Sequence, residues 1–348
     1  MSSTPAPTAD LTWKETHHEL VSLMRADNVT NIKYVVMEYL LLAVTLTGCA
    51  WSLWAWQQGS LPTAEFVPLA LVGMLVIAAI QHRLSGLGHE ASHYVMFKNP
   101  WANELASDFL CMFPILAMTQ QFRATHLGHH RFVNDPELDP DVVRLNQPFP
   151  LHWPMAKTIF WLRFVVGALW PLYLLGYLWG QAKNANFVGG PEMRGVYGRW
   201  AGNVMRAVYW VALLSVVFAT GTWPIMFWFW LVPLVTFYPF LMQLREIAHH
   251  SNAPDDDDLT NSRIFDVNPL VRGSVFPYGQ AFHVTHHMFS MLPHYQIGAA
   301  HDVLMRYRPY RENVVICRGY FFPRWGTSGP TVLDELARVH LPAATAAA

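Results

Sequence analysis

The sequence predicts an all-α membrane protein in which four transmembrane helices carry a cytosolic helical cap with a histidine-rich site for two metal ions. Three observations favour this fold class. Charged residues make up only 14% of the 348 residues, whereas soluble domains contain about 25%. Several apolar segments reach the length of about 20 residues that a helix needs to cross a bilayer. Finally, histidines recur in three clusters whose spacing places them on one face of a helix.

The hydropathy pattern divides the chain into three parts. Residues 1–33 form a polar N-terminal segment without the basic and apolar regions of a secretory signal, so the first apolar segment is expected to act as both signal and anchor. Residues 34–322 form the integral-membrane domain, and residues 323–348 are expected to be a frayed tail. The predicted spans lie at about residues 34–56, 66–88, 204–221 and 223–245.

Two further apolar segments are expected to lie at the membrane interface rather than to cross. Residues 104–118 are too short to cross and contain Asp108, while residues 158–180 contain Arg163 and precede a basic loop at residues 181–206. If the three histidine clusters share one site, an even number of crossings must separate the second from the third. Residues 158–180 are therefore the segment that does not cross.

Charge places the histidine clusters on the cytosolic side. Lys- and Arg-rich loops stay cytoplasmic, and the turn at residues 57–65, at the far end of the first two spans, contains neither residue type. We therefore expect both termini and the metal site to be cytosolic. The net charge of −1 gives no indication of nucleic-acid binding. No CxxC spacing links the three cysteines, so neither a disulfide framework nor a thiolate site is predicted.

The histidine clusters are the candidate functional site. One HxxxH cluster, two HxxHH clusters and one histidine at the end of the fourth span supply nine imidazoles. Imidazole is a common nitrogen ligand for iron, zinc, copper and nickel. Because one zinc ion takes about four ligands, nine suit two metal ions, and iron is the metal that combines many imidazoles with oxygen chemistry. The candidate ligands are His89, His93, His126, His129, His130, His250, His283, His286 and His287.

These motifs resemble those of the membrane fatty-acid desaturase superfamily, which also contains lipid hydroxylases. The matching stretches are GHEASH at 88–93, RATHLGHH at 123–130 with DPD at 139–141, and FHVTHH at 282–287 with PHY at 293–295. The resemblance covers about residues 34–310. It implies a non-haem diiron enzyme whose nine histidines bind two iron ions, with O₂ as co-substrate and two electrons from a separate carrier such as ferredoxin or cytochrome b5.

The resemblance also implies a reaction and a substrate class. The expected reaction is desaturation of an unactivated C–H pair in a fatty-acyl or related amphiphilic substrate that comes from the bilayer. Hydroxylation of a lipid or terpenoid on the same scaffold stays open as the alternative. Aromatic residues of the fourth span are candidates for lining the substrate channel, although packing or lipid contact is the alternative. They are Phe227, Trp228, Phe229 and Trp230.

Glu246 is a further candidate catalytic residue and metal ligand. In mammalian acyl-CoA desaturases, the position four residues before the fourth-span histidine holds an amide that reaches one iron through water, and Glu246 has the equivalent position. We predict that Glu246 is a direct or water-mediated ligand; the alternative is an acid paired with Arg245 or another cation. His249 is expected to face away from His250, because adjacent helical residues are about 100° apart.

Other polar residues near the clusters have two possible roles each. Asp139 and Asp141 are expected either to hydrogen-bond the outer nitrogens of ligand imidazoles or to cap a turn. Arg123 and Arg131 are expected either to dock an acidic electron donor or to anchor at lipid headgroups. The remaining histidines without same-face partners are expected to be structural. They are His82, His152, His294 and His301.

Two other functions fit part of the pattern. The first cluster alone matches the HExxH motif of zinc metalloproteases, with Glu90 as general base. That interpretation leaves the other clusters unexplained. A metal transporter would place its histidines near the middle of the spans, whereas these lie at the predicted ends of helices.

Overall fold

The computed structural model describes residues 10–147, 149–170, 175–176, 178–180, 195–253 and 257–340. After a short helix α1 (Trp13–Leu23), the described residues include four helical stretches long and apolar enough to cross a membrane. The four-span prediction is therefore confirmed. The spans are α2 (Thr30–Gln57), α3 (Thr63–Ser92), a third at Arg199–Ala219 and a fourth at Trp223–His250.

Helices α2 and α3 form a hairpin that positions the first histidine cluster. Gly59, with φ of +72°, reverses the chain between them, a backbone conformation that glycine adopts without steric cost. The helices approach closely at Gly73, where an added Cβ would clash with Sγ of Cys49. Helix α3 has 30 residues and is therefore about 45 Å long at 1.5 Å per residue. It extends beyond a hydrocarbon core of about 30 Å, and its protruding end carries His89.

The segment after α3 returns the chain to the second cluster without crossing. Helix α4 (Pro100–Ser107) continues as a π turn at Asp108–Met112 and a 3₁₀ turn at Phe113–Ile115. The backbone N–H of Thr119 donates to Asp108 at 2.7 Å. Cys111 is buried while Phe109 is exposed, as the prediction of a half-buried helix at residues 104–118 requires. Helix α5 (Thr119–Arg131) follows and carries the second cluster.

Residues 158–180 form no helix of spanning length in the part of the chain that the structure describes. Helix α6 (Pro140–Leu145) is followed by α7 (Lys157–Phe160), a π turn at Trp161–Val166 and a 3₁₀ turn at Gly167–Leu169. Nη1 of Arg163 donates to the carbonyl oxygen of Pro150 at 2.9 Å. An arginine held by loop carbonyls belongs at an interface rather than in hydrocarbon.

The loop expected at residues 181–206 can be compared with the structure from residue 195 onward. Residues 181–194 lie outside the described residues. The expectation is wrong for residues 199–206, which form the first turns of the third span, α8 (Arg199–Ala219). Nη2 of Arg206 donates to Oδ1 of Asn203 one turn earlier, at 3.0 Å. Long basic side chains at the end of a span reach polar partners in this way, so a basic composition does not exclude a helix.

The fourth span is broken into short helical pieces. It runs as α9 (Trp223–Met226), a π turn at Phe227–Leu231, α10 (Val232–Val235) and α11 (Phe237–His250). Pro233 explains the break, because proline removes a backbone donor and its ring displaces the carbonyl four residues earlier. Helix α11 packs against α3. The ends of the second and fourth spans, which carry histidines, are thereby brought together.

The chain after the fourth span closes over this end of the bundle. A short parallel strand pair, β1 (Ile264–Phe265) with β2 (Ile316–Cys317), was not predicted. The described residues of this part also form small helices, of which α13 carries the third cluster. They are α12 (Pro269–Ser274), α13 (His283–Met288), α14 (Ile297–Leu304), α15 (Arg308–Asn313) and α16 (Val332–Leu336). Below, the cap means the described parts of residues 93–198 and 251–340.

The expectation of a frayed tail is wrong for residues 323–340, and residues 341–348 lie outside the described residues. Thr331 and Asp334 form a capping box that starts α16. Val332, Leu333 and Leu336 of that helix are buried. The carbonyl oxygen of Leu336 accepts a hydrogen bond from the backbone N–H of Met155 at 2.8 Å. Three apolar residues in one helix are too short a pattern to predict this docking from sequence.

Candidate metal centre

Four helices bring together the nine histidines that the sequence predicts. Each reaches the centre from the end of a span or from a helix of the cap, so none lies at the middle of a span. Eight of them form two groups, and within each group one nitrogen from every ring lies within 4.8 Å of the others. The first group is His89, His93, His126 and His286, and the second group is His129, His250, His283 and His287.

The nitrogen atoms of each group face one another. In the first group, Nε2 of His93 lies 2.8 Å from Nε2 of His126. In the second group, Nε2 of His250 lies 2.8 Å from Nε2 of His283 and 3.1 Å from Nε2 of His287. Each group therefore offers four nitrogen donors that converge on a common point. Four nitrogen donors around a point are a suitable ligand set for one transition-metal ion.

His130 is the ninth histidine and lies between the groups. Its Nε2 is 3.1 Å from Nε2 of His126 and 3.0 Å from Nε2 of His286, both in the first group. Its ring stacks on His287 of the second group, with ring centroids 4.2 Å apart. His130 thus adds a fifth nitrogen to the first group.

Hydrogen bonds on the outer nitrogens show which ring atoms are left to face a cation. Nδ1 of His129 lies 3.0 Å from both carboxylate oxygens of Asp139, and Nδ1 of His250 lies 2.9 Å from the carbonyl oxygen of Asn261. Both acceptors need a proton on Nδ1, so Nε2 of each ring carries a lone pair. These two Nε2 atoms are 3.2 Å apart. Two lone pairs at that distance repel unless a proton or a metal ion lies between them, so the donor set fits a metal ion.

Burial keeps most of the imidazoles in the neutral form that binds metals. Desolvation lowers the pKa of His126 and His286 well below 6.5, and it lowers the pKa of His130 to about 3. His129 is the exception. Burial alone would lower its pKa as well, but the carboxylates of Asp141 and Asp139 outweigh burial and raise it.

A small cavity lies against both histidine groups. Its volume is about 30 Å³, and its walls include His89 and His126 of the first group and His129 and His283 of the second. We call this cavity the chamber. The chamber shares His129, Asp141 and Glu246 with a larger cavity of about 360 Å³, the cap cavity, which Asn134, Trp153 and Asn252 of the cap also line.

Comparison with known proteins identifies the family. A profile of the fatty acid desaturase family matches residues 65–319, which include all nine histidines. This chain belongs to the fatty acid desaturase family. Membership in this family supports oxidoreductase chemistry and confirms the resemblance that the histidine motifs indicate.

Relatives of this desaturase-family chain act on different substrates. A dihydrorhizobitoxine desaturase from Bradyrhizobium elkanii is 26% identical over 336 residues, which cover 91% of this chain and 86% of that protein. An sn-1 oleoyl-lipid 12-desaturase from Anabaena variabilis is 24% identical over 75% of this chain and 74% of its own length. A sphingolipid delta(4)-desaturase from Drosophila melanogaster is 32% identical over 26% of this chain and 32% of its own length.

In this family member, both predicted roles of Asp139 are present. Its carboxylate accepts from His129 and, at 2.8 Å, from the backbone N–H of Asp141, which starts α6. Asp141 lies 3.9 Å from Nδ1 of His129, and its Oδ1 lies 3.0 Å from Nη2 of Arg144. Asp139 therefore orients a histidine of the second group and caps a helix at once.

The carboxylate of Glu246 lies at the edge of the centre. Its Oε1 is 2.7 Å from Nη2 of Arg144 and 3.2 Å from Nη2 of Arg245. This is the cation pairing that the alternative interpretation requires. Glu246 is not a member of either group, yet it lines the chamber, so its role as a ligand stays a prediction. Sequence reasoning missed Arg144, because no spacing rule links residues 144 and 246.

Both roles suggested for Arg123, docking an electron donor and anchoring at lipid headgroups, are wrong, because its side chain is fully buried. Nε of Arg123 donates to the carbonyl oxygen of Ser92 at 3.0 Å, and Nη2 donates to the carbonyl of Ala91 at 2.8 Å and to Glu104. Arg123 thus ties the end of α3 to the start of α5. Arg131 is exposed and lies over Phe132, with its guanidinium 5.2 Å from the ring centroid, so its docking role stays a prediction.

Three of the histidines expected to be structural have hydrogen bonds outside the two groups. Nδ1 of His82 pairs with the carbonyl oxygen of Ser274, Nε2 of His294 with Asn31, and Nδ1 of His301 with Tyr310. His152 is exposed. His249 is buried outside both groups, and its ring stacks on His283 with centroids 3.5 Å apart.

The aromatic residues of the fourth span differ in their surroundings. Phe227 and Trp228 are exposed on the bundle surface, and Phe229 is buried in the core. Trp230 lines an apolar cavity of about 300 Å³ between spans, together with Tyr39 and Leu213. The residues that line this cavity include none that line the chamber. Of the four aromatic residues predicted to line a channel, Trp230 alone lines this cavity, and the channel stays a prediction.

The metalloprotease alternative does not fit the position of Glu90. Its Oε2 accepts a hydrogen bond from the backbone N–H of His294 at 2.7 Å, and Glu90 does not line the chamber. A general base must reach the proton that it removes. Glu90 instead attaches the cap to the end of α3.

Proposed function

We propose that this chain is a diiron desaturase that uses O₂ and two electrons from a separate carrier to remove two hydrogens from a lipid-like substrate. The observation that carries the proposal is the pair of nitrogen groups, which lie side by side at one end of the spans. His89, His93, His126, His130 and His286 would hold one iron ion. His129, His250, His283 and His287 would hold the other, and Glu246 is a further candidate ligand at this centre.

Two bound iron ions would supply the oxidising power for attack on an unactivated C–H bond. The overall reaction balances. Removing two hydrogen atoms from adjacent carbons releases two electrons and two protons, and the carrier supplies two more electrons. With two protons from solvent, these reduce one O₂ to two water molecules.

The surrounding residues hold the ligands and keep the centre apart from bulk water. Asp139 and the carbonyl of Asn261 fix the orientation of one imidazole each, as partners of ligand histidines commonly do. Ligand histidines such as His126 and His283 are themselves buried. The chamber, which both groups line, leaves space for a small group next to the centre, and the larger cap cavity beside His129 and His250 would hold the substrate carbons.

Metal analysis of the purified full-length chain tests this proposal. We expect iron near two per chain, and we expect His126→Ala or His283→Ala to lose iron. His152→Ala, a change of an exposed histidine outside both groups, is the control that keeps it. Zinc at one per chain would contradict the proposal.

Mass spectrometry of the product separates the two reactions that the sequence leaves open. We expect the product to lack two hydrogens relative to the substrate. A product with one added oxygen would show hydroxylation instead. The electron donor we propose is a soluble or membrane-anchored carrier such as ferredoxin or cytochrome b5, and reduction of the iron by the donor before substrate is added would identify it.

We further propose that both termini and the metal centre are cytosolic. The turn at residues 58–62 and the turn at residues 220–222 lie at the opposite ends of their spans from the histidines. Neither turn contains Lys or Arg, as expected for loops on the outer side. The lipid-like substrate would reach the centre from the cytosolic leaflet.

A further inference from the structure

Apart from the candidate ligand His89 and the ion-paired Arg144, the residues that line the chamber carry two buried polar atoms with no hydrogen-bond partner among the described residues. They are Nε2 of His249 and Oε1 of Gln280. Each side chain is only 5% exposed, and both residues line the chamber. A buried polar atom without a partner is unfavourable unless a ligand or water satisfies it. These two atoms therefore indicate that the chamber receives a hydrogen-bonding group.

The side chains around the chamber offer no unpaired charge to such a group. Two arginines and two acids line it, and they neutralise one another. Nη2 of Arg144 lies 3.0 Å from Asp141 and 2.7 Å from Glu246, and Nη2 of Arg245 also lies 3.2 Å from Glu246. An incoming charge would have to compete with these ion pairs, whereas a neutral polar group would not.

The size of the chamber limits the occupant to a small group. Its volume of about 30 Å³ admits roughly one or two water-sized groups, which excludes a phosphate or sugar head. A hydroxyl fits this space and is both a donor and an acceptor. It can donate to Oε1 of Gln280 and share a hydrogen bond with Nε2 of His249 in either tautomer of that ring.

We propose that the chamber binds a hydroxyl group of the substrate through Gln280 and His249, so that the oxidised carbons lie next to a hydroxyl-bearing carbon. This inference rests on the proposed desaturase function and narrows its substrate class to hydroxylated amphiphiles. The rest of the substrate lies in the cap cavity, which shares His129, Asp141 and Glu246 with the chamber. A plain alkyl chain would leave both polar atoms without a partner.

Photo-crosslinking tests the proposal without turnover. The iron-loaded full-length chain in detergent is exposed to decan-1-ol carrying a diazirine near the hydroxyl, and separately to the methyl ether of the same probe, with no electron donor present. The ether lacks the donor that Gln280 requires. We expect the alcohol to label chamber residues such as Phe122 and Thr125 about tenfold more strongly than the ether, as the loss of one hydrogen bond implies.

Two variants locate the effect. Gln280→Met and His249→Phe keep most of the side-chain volume and remove one polar partner each, and we expect each to lower labelling by the alcohol severalfold. His301→Phe is the matched control, because His301 is a half-buried histidine that lines neither cavity. Equal labelling by the two probes, or labelling by the alcohol that neither variant changes, would overturn the proposal.

Iron content of the same samples separates this inference from the proposed function. Near two iron ions per chain with equal labelling by both probes would overturn the hydroxyl site and leave the desaturase proposal standing. A chain that binds no iron would contradict the desaturase proposal itself.

Discussion

At the residue scale, the hydrogen bond from His129 to Asp139 decides which ring nitrogen is available to a metal ion. Asp139 fixes the proton on Nδ1 and leaves the lone pair of Nε2 facing His250. The sequence suggested Asp139 for this role but could not separate it from turn capping. The two roles were inseparable because the same carboxylate performs both.

Replacement of Asp139 tests its effect on the metal. Asp139→Asn removes the charge that favours a proton on Nδ1 of His129, so we expect the affinity for iron to fall about 10- to 100-fold. Competition with a chelator measures the change. Asp135→Asn is the control, since Asp135 accepts backbone hydrogen bonds in the same turn without contacting a histidine of either group. Equal iron loss in both variants would contradict the prediction.

Replacement of Glu246 tests its role as a ligand. Glu246→Gln removes a negative charge beside Arg144 and Arg245 and replaces one carboxylate oxygen with an amide nitrogen. We expect lower iron content together with lower activity, measured on the purified chain by metal analysis and product formation. A Glu246→Gln chain with full iron content and full activity would eliminate Glu246 as a ligand.

At the scale of elements, Arg123 of α5 binds the end of α3 through backbone carbonyls and binds α4 through Glu104. Both side chains are almost fully buried, and removing one partner from a buried ion pair costs about 3–5 kcal/mol. We expect Arg123→Ala to lower the free energy of unfolding by about that amount, measured by thermal unfolding in detergent. Arg131→Ala, at an exposed position, should stay within about 0.5 kcal/mol.

The histidine clusters were predictable from the sequence because helical spacing puts their rings on one face. The role of Arg123 was not, since it depends on how closely the end of α3 approaches α4 and α5. The break in the fourth span was also missed, although Pro233 is visible in the sequence. The length of an apolar run predicts a span but not where its helix is interrupted. Pro233 interrupts the helix because it cannot donate a backbone hydrogen bond to the carbonyl of Phe229, four residues earlier.

At the scale of the whole molecule, the orientation in the membrane can be tested with a single introduced cysteine. The three native cysteines are buried, so they should react slowly with an impermeant maleimide. We expect Ser60→Cys, in the turn after α2, to react only from outside the cell. Glu137→Cys, in the cap, should react only after the membrane is opened. The reverse pattern would overturn the cytosolic placement of the metal centre.

The four spans and the convergence of the clusters followed from segment length, parity and charge, which act over the whole chain. The docking of α16 did not follow, because its few apolar residues pack against α7 and Met155, which are far away in the sequence. The same limit applies to the chamber. Helical geometry predicted that His249 faces away from His250, and His249 indeed belongs to neither histidine group. It nevertheless lines the chamber, which helical spacing alone could not predict.

The facing lone pairs of His129 and His250 have a thermodynamic consequence for assembly. These rings belong to α5 and α11, which are far apart in the sequence, and without a cation their contact is repulsive. Binding of the proposed iron ions would therefore stabilise the approach of α5 to α11. Stripping the ions should speed amide-hydrogen exchange in α5 and α13 while leaving the hairpin of α2 and α3 protected.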